Sequence, residues 1–447
     1  MFHPDIHTSG LQMSECPVSY ESERSLQEFS LIAFSIAYEL ELSGLMRMLH
    51  VSGIPPLRDE RGHSFPLVLA GGPLTFSNAT TLAPFVDVIL LGECEDVLPR
   101  ILQCIAQASS RTQLLDELAL FRSVVVPARG ASLNDRVAKA DTAQLPAYSA
   151  IITPNTELAN MQLVEAERGC SRGCTYCVMR RSTNGGMRIF DVESVLGRVF
   201  DDVKCVGLVG AAVSDHPNIV EIVERLVTRG CRVGLSSLRP DKLKEPFVAV
   251  LSSAGYRTLT TALDGASERL RRLIDRRGRE PDYERAAKLA RKYEMEKLKL
   301  YLMVGLPGES EADIDECAEF VGGLSKIIPV SLGISPFCAK RNTPLDGVPF
   351  AGVGLVQSRL SRLRSKLSGR AHVGATSARW AWVEHVLSQG GEAEGRSVLD
   401  ALRMGGTFSA YREAFGRLGH HPDKTGYADT GARRVHLPSA TDRTGAD

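Results

Sequence analysis

The sequence predicts an α/β protein in which a doubly wound sheet is followed by a partial parallel barrel and then by helices. Apolar runs of strand length alternate with helical patterns in the first 110 residues, and a strand–helix unit recurs six times between residues 156 and 345. Such alternation is typical of parallel sheets covered by helices. Hydrophobic residues make up 43% of the chain and charged residues 24%, which is enough apolar material for a sizeable core.

Residues 1–110 are the first predicted region. Its strands are predicted in LIAFSI, FPLVLAGGP and FVDVILLG, and its helices in YELELSGLMRMLHVSG and EDVLPRILQCIAQ. Doubly wound sheets bind ligands at the carboxyl ends of their strands, and Gly71, Gly72 and Gly92 follow strands here. The pattern lacks the opening strand and helix of such a domain, so we expect an incomplete Rossmann-like domain.

Residues 111–155 are predicted to be a connector, and residues 156–345 a barrel. The six barrel strands are predicted in MQLVEAERG, KCVGLVGAA, CRVGLSSLRPD, YRTLTTALDGAS, LKLYLMVGLPGES and PVSLGISPF. Side chains just past the strand ends of such a barrel meet at one face. We therefore expect the functional residues at these strand ends.

Residues 346–420 are predicted to be helical. The helices are predicted in VGLVQSRLSRLRSKLSG, ARWAWVEHVLSQGG, EGRSVLDALRMGG and SAYREAFGRLG. Residues 421–447 are polar, and we expect a poorly ordered tail there.

Composition excludes several classes of protein. The formal net charge is zero, which gives no argument for nucleic acid or for an anionic membrane surface. The longest apolar runs are too short to span a bilayer, and the first residues show no secretory signal. We expect a cytoplasmic protein with no membrane partner, and nucleic acid is not indicated as a partner. Its ten cysteines are then not expected to form a disulfide framework.

Three of the cysteines cluster with the spacing Cys-x3-Cys-x2-Cys: Cys170, Cys174 and Cys177. Thiolates are the ligands that iron–sulfur clusters require, and the flanking Arg168, Arg172, Arg180 and Arg181 are expected to favour thiolates. A zinc site would normally need a fourth cysteine or histidine nearby, and the nearest histidine downstream is His216. A four-iron cluster with three protein ligands and one open iron is therefore the favoured interpretation.

The motif CSRGCTYC on the first strand end of a six-unit barrel resembles the radical S-adenosylmethionine (radical SAM) superfamily. The segments PLVLAGGP, FVDVILLGE, SSLRPD, LKLYLMVGLPGE and ISPFCAKRNTP, together with the first strand and helix, narrow the resemblance. They resemble the subgroup with an N-terminal cobalamin (B12)-binding-like domain. The resemblance implies that the first domain is cobalamin-binding-like and truncated, and that the barrel is a partial (β/α)6 TIM-like radical SAM barrel.

The resemblance also implies chemistry. In this superfamily a [4Fe-4S] cluster binds S-adenosyl-L-methionine through its open iron and cleaves it reductively to a 5′-deoxyadenosyl radical, which abstracts hydrogen from substrate. It implies an electron donor such as flavodoxin or ferredoxin and an unknown substrate. The reaction class, transferase or oxidoreductase, stays open.

By resemblance, Cys170, Cys174 and Cys177 are the catalytic and metal-ligating residues. The resemblance further implies cofactor contacts from Tyr176, Gly210, Ala211, Ser237, Arg239, Asp264 and Gly305.

Several of these positions have a structural alternative. Relatives often carry two glycines and a glutamate where this chain has Gly210-Ala211-Ala212, so hydrogen bonds to the cofactor are expected from backbone alone. Arg239 could bind a cofactor carboxylate or pair with Asp241. Asp264 stands where relatives usually carry glutamate, and it equally suits the N-cap of the next helix. Gly305 permits close approach to an adenine, but a tight strand–helix turn would need it as well.

Two charged residues near the strand ends are expected to be structural. Lys340 lies where its charge could meet substrate, although a solvated loop lysine is the favoured interpretation. Glu309 is favoured as a first-turn helix acid over a ligand.

Cobalamin itself is a separate question. The stretch DIHTSG, residues 5–10, spells the pattern of an axial cobalt ligand, but no strand has room to precede it, and coincidence is the favoured interpretation. Cobalamin-assisted methyl transfer is one option for the reaction, and radical rearrangement or oxidation without cobalamin is another. A methylthiotransferase acting on RNA or protein would need three further cysteines, and Cys16, Cys94 and Cys104 have unrelated spacings. A non-catalytic scaffold on the same fold is the remaining alternative.

Overall fold

The computed structural model of the chain describes residues 16–19, 21–130, 137–179, 186–236 and 238–423. Several features named above lie outside the described residues: the DIHTSG stretch, Arg180, Arg181, Ser237 and residues 424–447 of the predicted tail.

The N-terminal region forms a four-stranded sheet. Its elements in chain order are β1 (Leu31–Ser35), α1 (Leu42–Val51), β2 (Leu67–Gly71), β3 (Val88–Leu90), α2 (Val97–Gln107), α3 (Arg111–Leu118) and β4 (Val124–Val125). The strand order is β1-β2-β3-β4; the first three strands are parallel and β4 runs antiparallel to β3. The predicted strands and helices are confirmed. The sheet also includes β4, which lies in the stretch assigned to the connector.

The carboxyl ends of β2 and β3 are filled by the chain itself. A Cβ added at Gly72 would lie 2.7 Å from the backbone nitrogen of Ile36, and one at Gly92 would lie 2.5 Å from the backbone oxygen of Ala138. Both glycines have a positive φ, which side chains other than glycine rarely adopt. These glycines therefore serve close backbone packing at the two strand ends.

The barrel follows, with both halves built from parallel strands. Its elements in chain order are β5 (Gln162–Glu165), β6 (Glu167–Cys170), β7 (Gly186–Ile189), α4 (Val192–Leu196), β8 (Cys205–Val209), α5 (Ile219–Thr228), β9 (Arg232–Leu235), α6 (Glu245–Ser253), β10 (Thr258–Asp264), α7 (Glu268–Leu273), α8 (Glu280–Lys292), β11 (Lys297–Val304), α9 (Glu311–Leu324) and β12 (Val330–Pro336). β5, β8 and β9 pair in that order, and a bridge between Leu238 and Thr261 leads on to β10, β11 and β12. All six predicted barrel strands are confirmed.

Two details of the barrel differ from the sequence prediction. The first predicted strand breaks at Ala166, so that β5 stays in the barrel while β6 pairs antiparallel with β7. The segment predicted as helix over residues 192–203 is helical only in α4. Gly197 directly follows α4, and glycine is a poor helix former.

The C-terminal region contains α10 (Val353–Lys366), β13 (Ala371–Ala375), α11 (Ala378–Gln389), α12 (Glu392–Arg403) and α13 (Phe408–Gly416). The four predicted helices are confirmed. The strand β13 was not predicted, and it pairs parallel with β12 as a seventh barrel strand. None of the helices formed by the described residues is long and apolar enough to cross a bilayer.

One hydrophobic core joins the three regions. Leu49 of α1, Leu300 of β11 and Val398 of α12 belong to the same buried cluster. A smaller cluster lies on the other face of the N-terminal sheet, against α2 and α3, and includes Leu69 and Ile101. The N-terminal sheet is therefore packed on the barrel and the C-terminal helices through one of its faces.

Candidate functional site

The three clustered cysteines lie at the end of β6 and on the loop that follows it. Cys170 is the last residue of β6, and Cys174 and Cys177 follow on the loop. The loop is tied to the barrel because the backbone N–H of Thr175 donates to the backbone oxygen of Ile274 at 3.1 Å. All three cysteines are free thiols, and Cys174 is buried. The loop therefore presents three thiols at one end of the barrel.

The protonation of these thiols is set by their burial. Burial raises the pKa of Cys170, Cys174 and Cys177 above that of an exposed cysteine. Negative charge on the other two sulfurs raises the pKa of Cys177 further, so the three thiols are within electrostatic range of one another. Because metals bind the thiolate, assembly of a cluster here must release protons.

The donor set fits a multi-iron cluster better than a single ion. Within the described ranges, no three Cys, His, Asp or Glu side chains are grouped so that they could hold one metal ion. His216, the histidine considered for zinc, is buried with Nε2 2.8 Å from the Phe190 backbone oxygen. In a four-iron cluster each thiolate binds a different iron, so the sulfurs need not surround one point. Three neighbouring free thiols meet that demand and leave the fourth iron without a protein ligand.

The arginines expected to favour thiolates act differently from one another. Arg168 pairs with three carboxylates, Glu93 at 3.2 Å, Glu95 at 2.7 Å and Glu165 at 2.8 Å, so these carboxylates balance its positive charge. The expectation is therefore wrong for Arg168. Arg172 pairs with Asp241 at 3.2 Å and lowers the pKa of Cys170, but burial outweighs this effect.

Arg276, which sequence reasoning missed, is the basic residue placed against the cysteine loop. Its positive charge acts to lower the pKa of the Cys174 thiol, although burial has the larger, opposite effect. Its Nε lies 2.8 Å from Oδ2 of Asp264, and the Tyr176 hydroxyl donates to the same oxygen at 2.8 Å. Burial raises the pKa of Asp264, while Arg276 and Tyr176 act to lower it. Asp264 thus links the loop to β10.

Local hydrogen bonds bear on two alternatives left open above. Ser267 caps α7 by accepting from a backbone N–H of the first turn, so the N-cap interpretation of Asp264 is wrong. Arg239 pairs with Asp215 at 2.5 Å and with Asp241 at 3.2 Å, which is the salt bridge foreseen as its alternative role. Its contact with a cofactor stays a prediction.

Glu167, also missed by sequence reasoning, fills the space at the end of β8. Its Oε1 accepts from the backbone N–H of Ala212 at 2.6 Å. A Cβ on Gly210 would lie 2.2 Å from the same oxygen, so only glycine fits there. The amides of Ala211 and Ala212 act to lower the pKa of Glu167, but burial dominates and raises it to about 7. The amides expected to face a cofactor therefore bond to a carboxylate, whose Oε2 is buried without a hydrogen-bond partner.

Gly305 ends β11 in a tight turn. Its φ is 92°, and its backbone N–H donates to Oε2 of Glu309 at 2.7 Å. Glu309 is buried and pairs with Arg359 of α10 at 2.7 Å, so it clamps the turn against that helix. The expectation that Glu309 is a first-turn helix acid is wrong, because Ser310 caps α9 after it. The turn interpretation of Gly305 is supported, and its contact with adenine stays a prediction.

A cavity of about 510 Å³ opens beside the cysteine loop, and we call it the central cavity. Its lining combines the N-terminal region, the barrel and α11, and includes Tyr38, Tyr176, Met303, Phe337, Lys340, Trp380 and Glu384. This volume is in the range that small-molecule sites occupy. Lys340 is not a solvated loop lysine, since its ammonium pairs with Glu39 at 2.6 Å and Glu384 at 2.7 Å.

The two residues that sequence reasoning missed, Glu167 and Arg276, differ in how strong a signal the sequence carries for them. Glu167 is a carboxylate at a buried strand position three residues before Cys170, and a charge on the inward face of a strand beside a thiol motif is a usable signal. Arg276 lies in the stretch DRRGRE, where several arginines are equivalent by pattern. Only the tertiary structure singles out Arg276.

Comparison with known families agrees with this geometry. Residues 164–321 match the model described as the radical SAM superfamily, and residues 1–127 match the model described as radical SAM proteins, N-terminal. The chain carries a radical SAM domain. Radical SAM domains are enzyme domains that use a [4Fe-4S] cluster and S-adenosylmethionine, so this domain indicates that the chain is an enzyme, with its reaction class open.

Individual relatives are more distant. The protein named Uncharacterized protein MJ0966 from Methanocaldococcus jannaschii is 28% identical over 335 residues, which are 73% of this chain and 70% of that protein. OxsB, described as a cobalamin-dependent S-adenosylmethionine radical enzyme, is 15% identical with a TM-score of 0.48, over 66% of this chain and 43% of that one. SuiB from Streptococcus suis is 13% identical with a TM-score of 0.35, over 50% of each chain. This chain spans half or less of these two structures.

Proposed function

We propose that this radical SAM enzyme cleaves S-adenosylmethionine reductively at a [4Fe-4S] cluster and directs the 5′-deoxyadenosyl radical to a substrate in the central cavity. The observation that carries the proposal is the set of three free thiols after β6, inside the segment that matches the radical SAM superfamily. The central cavity reaches Tyr176, the neighbour of Cys177, which supports a substrate close to the cluster.

Cys170, Cys174 and Cys177 would hold the cluster. When bound, it supplies the single electron that splits the sulfonium carbon–sulfur bond into methionine and the adenosyl radical. Arg276 supports this role because its guanidinium, whose positive charge acts on Cys174, would offset the negative charge of a thiolate-bound cluster. Asp264 holds both Arg276 and Tyr176, so this trio positions the loop between cluster and cavity.

Glu167 is the residue that we assign to the amino group of S-adenosylmethionine. Its unpartnered Oε2 is a buried acceptor, and a buried polar atom without a partner costs free energy unless a ligand supplies a donor. The carboxylate lies against Gly210 and Ala211, the positions assigned to the cofactor by resemblance. The carboxylate of Glu167 on β6 would thus bind the amino group, which the methyl side chains of Ala211 and Ala212 cannot do.

The other assigned cofactor contacts are kept as part of the proposal. They are Tyr176, Ser237, Arg239, Asp264 and Gly305. Asp264, linked to the cysteine loop through Tyr176, has the strongest support among them.

The remaining functional alternatives find little support. For a methylthiotransferase, Cys104 would be needed in a second cluster, but its Sγ donates to Oε1 of Glu117 at 3.3 Å, between α2 and α3. For cobalamin chemistry, the glycine-bearing ends of β2 and β3 are filled by backbone, so we assign no step to that cofactor.

An electron donor and a location complete the proposal. The electron must come from an external reductant, and a flavodoxin or ferredoxin of low potential is the class that we propose. A cytoplasmic location is likewise proposed.

The decisive experiment is anaerobic reconstitution of the full chain with iron and sulfide. We expect the wild-type protein to bind a full four-iron cluster and, once reduced with dithionite, to convert S-adenosylmethionine into 5′-deoxyadenosine. Cys174→Ala should lose the cluster and the product. Cys205→Ala is the matched control, since Cys205 is a half-buried cysteine on β8 outside the loop, and it should retain both.

Two outcomes would contradict the proposal. One is oxygen-free wild-type protein that binds zinc or no iron. The other is a Cys174→Ala variant with the iron content and the 5′-deoxyadenosine yield of the wild type.

A further inference from the structure

The central cavity has one strongly charged wall. Lys340 donates to Oε2 of Glu39 and to Oε1 of Glu384, so two carboxylates share one ammonium. Burial acts to lower the pKa of Lys340, but these two carboxylates raise it above its usual value, so the ammonium stays charged. The wall therefore contains a fixed cation that is already engaged twice.

Hydrogen-bond accounting shows what this wall lacks. A carboxylate can accept about four hydrogen bonds and an ammonium can donate three. The Glu39 side chain is only 1% exposed, and its Oε1 is buried without a hydrogen-bond partner. Glu384, in contrast, lines the cavity and is 25% exposed, so a ligand can reach it. The wall has spare acceptors, and a ligand that brings donors would complete it.

The rest of the lining suits the body of such a ligand. Tyr38 and Trp380 contribute aromatic rings near Glu384, and Met303 and Phe337 contribute apolar surface. Burial raises the pKa of Tyr38, and negative charge on Glu41 and Glu384 raises it further. Both carboxylates therefore lie close to this ring. Aromatic faces beside carboxylates attract organic cations.

We propose that the central cavity binds a substrate with a protonated amine on an apolar or aromatic body, and that Glu384 receives the amine. This inference rests on the proposed function for the cavity being the substrate site. A substrate carboxylate is disfavoured because it would face Glu384, while the only lysine of this wall among the described lining residues is already held by two acceptors.

The test uses a matched pair of probes on the full-length, anaerobically reconstituted enzyme. 2-Phenylethylamine is a cation and 3-phenylpropanoate an anion of similar size, and their affinities can be compared by ligand-observed NMR. We expect the amine to bind at least ten-fold more tightly than the acid. Glu384→Gln should weaken the amine at least five-fold, while Glu413→Gln, a substitution on the exposed face of α13, should leave it unchanged.

A second variant covers the case in which Glu384→Gln folds poorly. Lys340→Met removes the resident ammonium and leaves both carboxylates without it, so the variant should melt at a lower temperature and should recover stability with 2-phenylethylamine but not with 3-phenylpropanoate. Tighter binding of the acid, or amine binding that neither variant alters, would overturn the inference.

The outcome can be separated from that of the proposed function. Probe binding should persist in Cys174→Ala, which lacks the cluster, because Glu39, Lys340 and Glu384 pair with one another and come from segments other than the cysteine loop. Normal cleavage of S-adenosylmethionine without amine selectivity would refute only this inference. Amine selectivity without cleavage would refute only the proposed function.

Discussion

At Gly210, the absence of a side chain lets the Glu167 carboxylate reach the backbone of the next strand. The oxygen that bonds to Ala212 stands where a Cβ of residue 210 would be, so β6 and β8 are joined by a contact that tolerates no larger residue. The pattern Gly-Ala-Ala alone indicates only small residues at a strand end. The carboxylate that requires a glycine at position 210 belongs to β6, a different strand. The local sequence therefore shows no side-chain partner there, and only backbone donors were predicted.

Gly210→Ala should test this fit directly. The added methyl group must displace Glu167 from the Ala212 amide, and overpacking of this kind costs about 1–3 kcal/mol of folding free energy. Urea unfolding of the apoprotein measures that loss. Gly323→Ala on α9 is the control, since nothing lies within 4 Å of its Cβ position, and alanine there should stabilise by about 0.5–1 kcal/mol. Equal effects at both positions would rule out the contact.

Glu167→Gln tests the charge and the hydrogen-bonding capacity of the Glu167 carboxylate separately from the shape of the side chain. The amide group fills the same space but turns one acceptor into a donor, so we expect S-adenosylmethionine to bind about ten-fold more weakly, the equivalent of ~1.4 kcal/mol. Equilibrium dialysis of the reconstituted protein measures this affinity. Iron content should match that of the wild type, and a variant that loses iron instead would assign Glu167 to the cluster loop.

Among the elements, the β6–β7 hairpin matters most because it carries Cys170, and a buried ion pair fastens it to the N-terminal sheet. Glu93, at the end of β3, pairs with Arg168 of β6 at 3.2 Å and with Arg188 of β7. The same carboxylate accepts from the backbone N–H of Ala140 at 2.8 Å. The N-terminal region thereby positions Cys170.

Glu93→Gln should loosen this hairpin. Removing one partner of a buried ion pair typically costs about 3–5 kcal/mol, and we expect a loss near the lower value because Arg168 keeps its pairing with Glu95. Urea unfolding and the rate of iron loss to a chelator measure the effect, and both should change. Asp59→Asn is the control, since the exposed pair of Asp59 with Arg396 also joins the N-terminal and C-terminal regions but should contribute less than ~1 kcal/mol. Iron retention equal to that of the control would exclude this role for Glu93.

Helix α12 offers a prediction about pH. A hydrogen bond from His420 to Glu394, 2.9 Å long, holds the pKa of that carboxyl at about 2, with help from the Gly391 backbone N–H. A lowered pKa stabilises the fold above the ordinary carboxyl pKa, and this contribution falls as pH drops toward 2. Glu394→Gln should therefore cost about 1–3 kcal/mol at pH 5.5, and its deficit should shrink by about 1 kcal/mol at pH 3.5. Glu413→Gln should show no such trend in urea unfolding, and a deficit independent of pH would refute the assignment.

Element prediction succeeded where one segment buries an uninterrupted apolar run. The residues LVLAG of β2 are all buried, and such a run is recognisable without tertiary information. Strand β13 was missed because AHVGA is short and only partly buried, and its strand character comes from pairing with β12. The clustering of Cys170, Cys174 and Cys177 follows from their spacing in the sequence, whereas Arg276 and the central cavity depend on contacts between distant segments.

For the whole molecule, contacts between the first hundred residues and the C-terminal helices make one unit of three regions. The side-chain amide of Asn78 donates to the backbone oxygens of Leu387 and Gly390, at 2.8 and 2.9 Å. Gly395 of α12 packs on the backbone of Thr81, where a Cβ would lie 2.4 Å from its oxygen. Since the central cavity has walls from both ends of the chain, its shape depends on this closure.

Asn78→Ala should therefore destabilise the whole molecule and not only its N-terminal region. Two buried carbonyl oxygens lose a donor, which costs about 1–3 kcal/mol. Both tryptophans of the chain, Trp380 and Trp382, lie on α11, so their fluorescence reports the C-terminal region while far-UV circular dichroism reports the entire chain. Because one core runs through the three regions, we expect both signals to shift to lower urea concentration together. Asn155→Ala, at an exposed position, should change the free energy of unfolding by no more than ~0.5 kcal/mol with either signal. If the circular dichroism transition shifts while the tryptophan transition stays in place, the N-terminal region unfolds on its own and the shared core does not couple it to the helices.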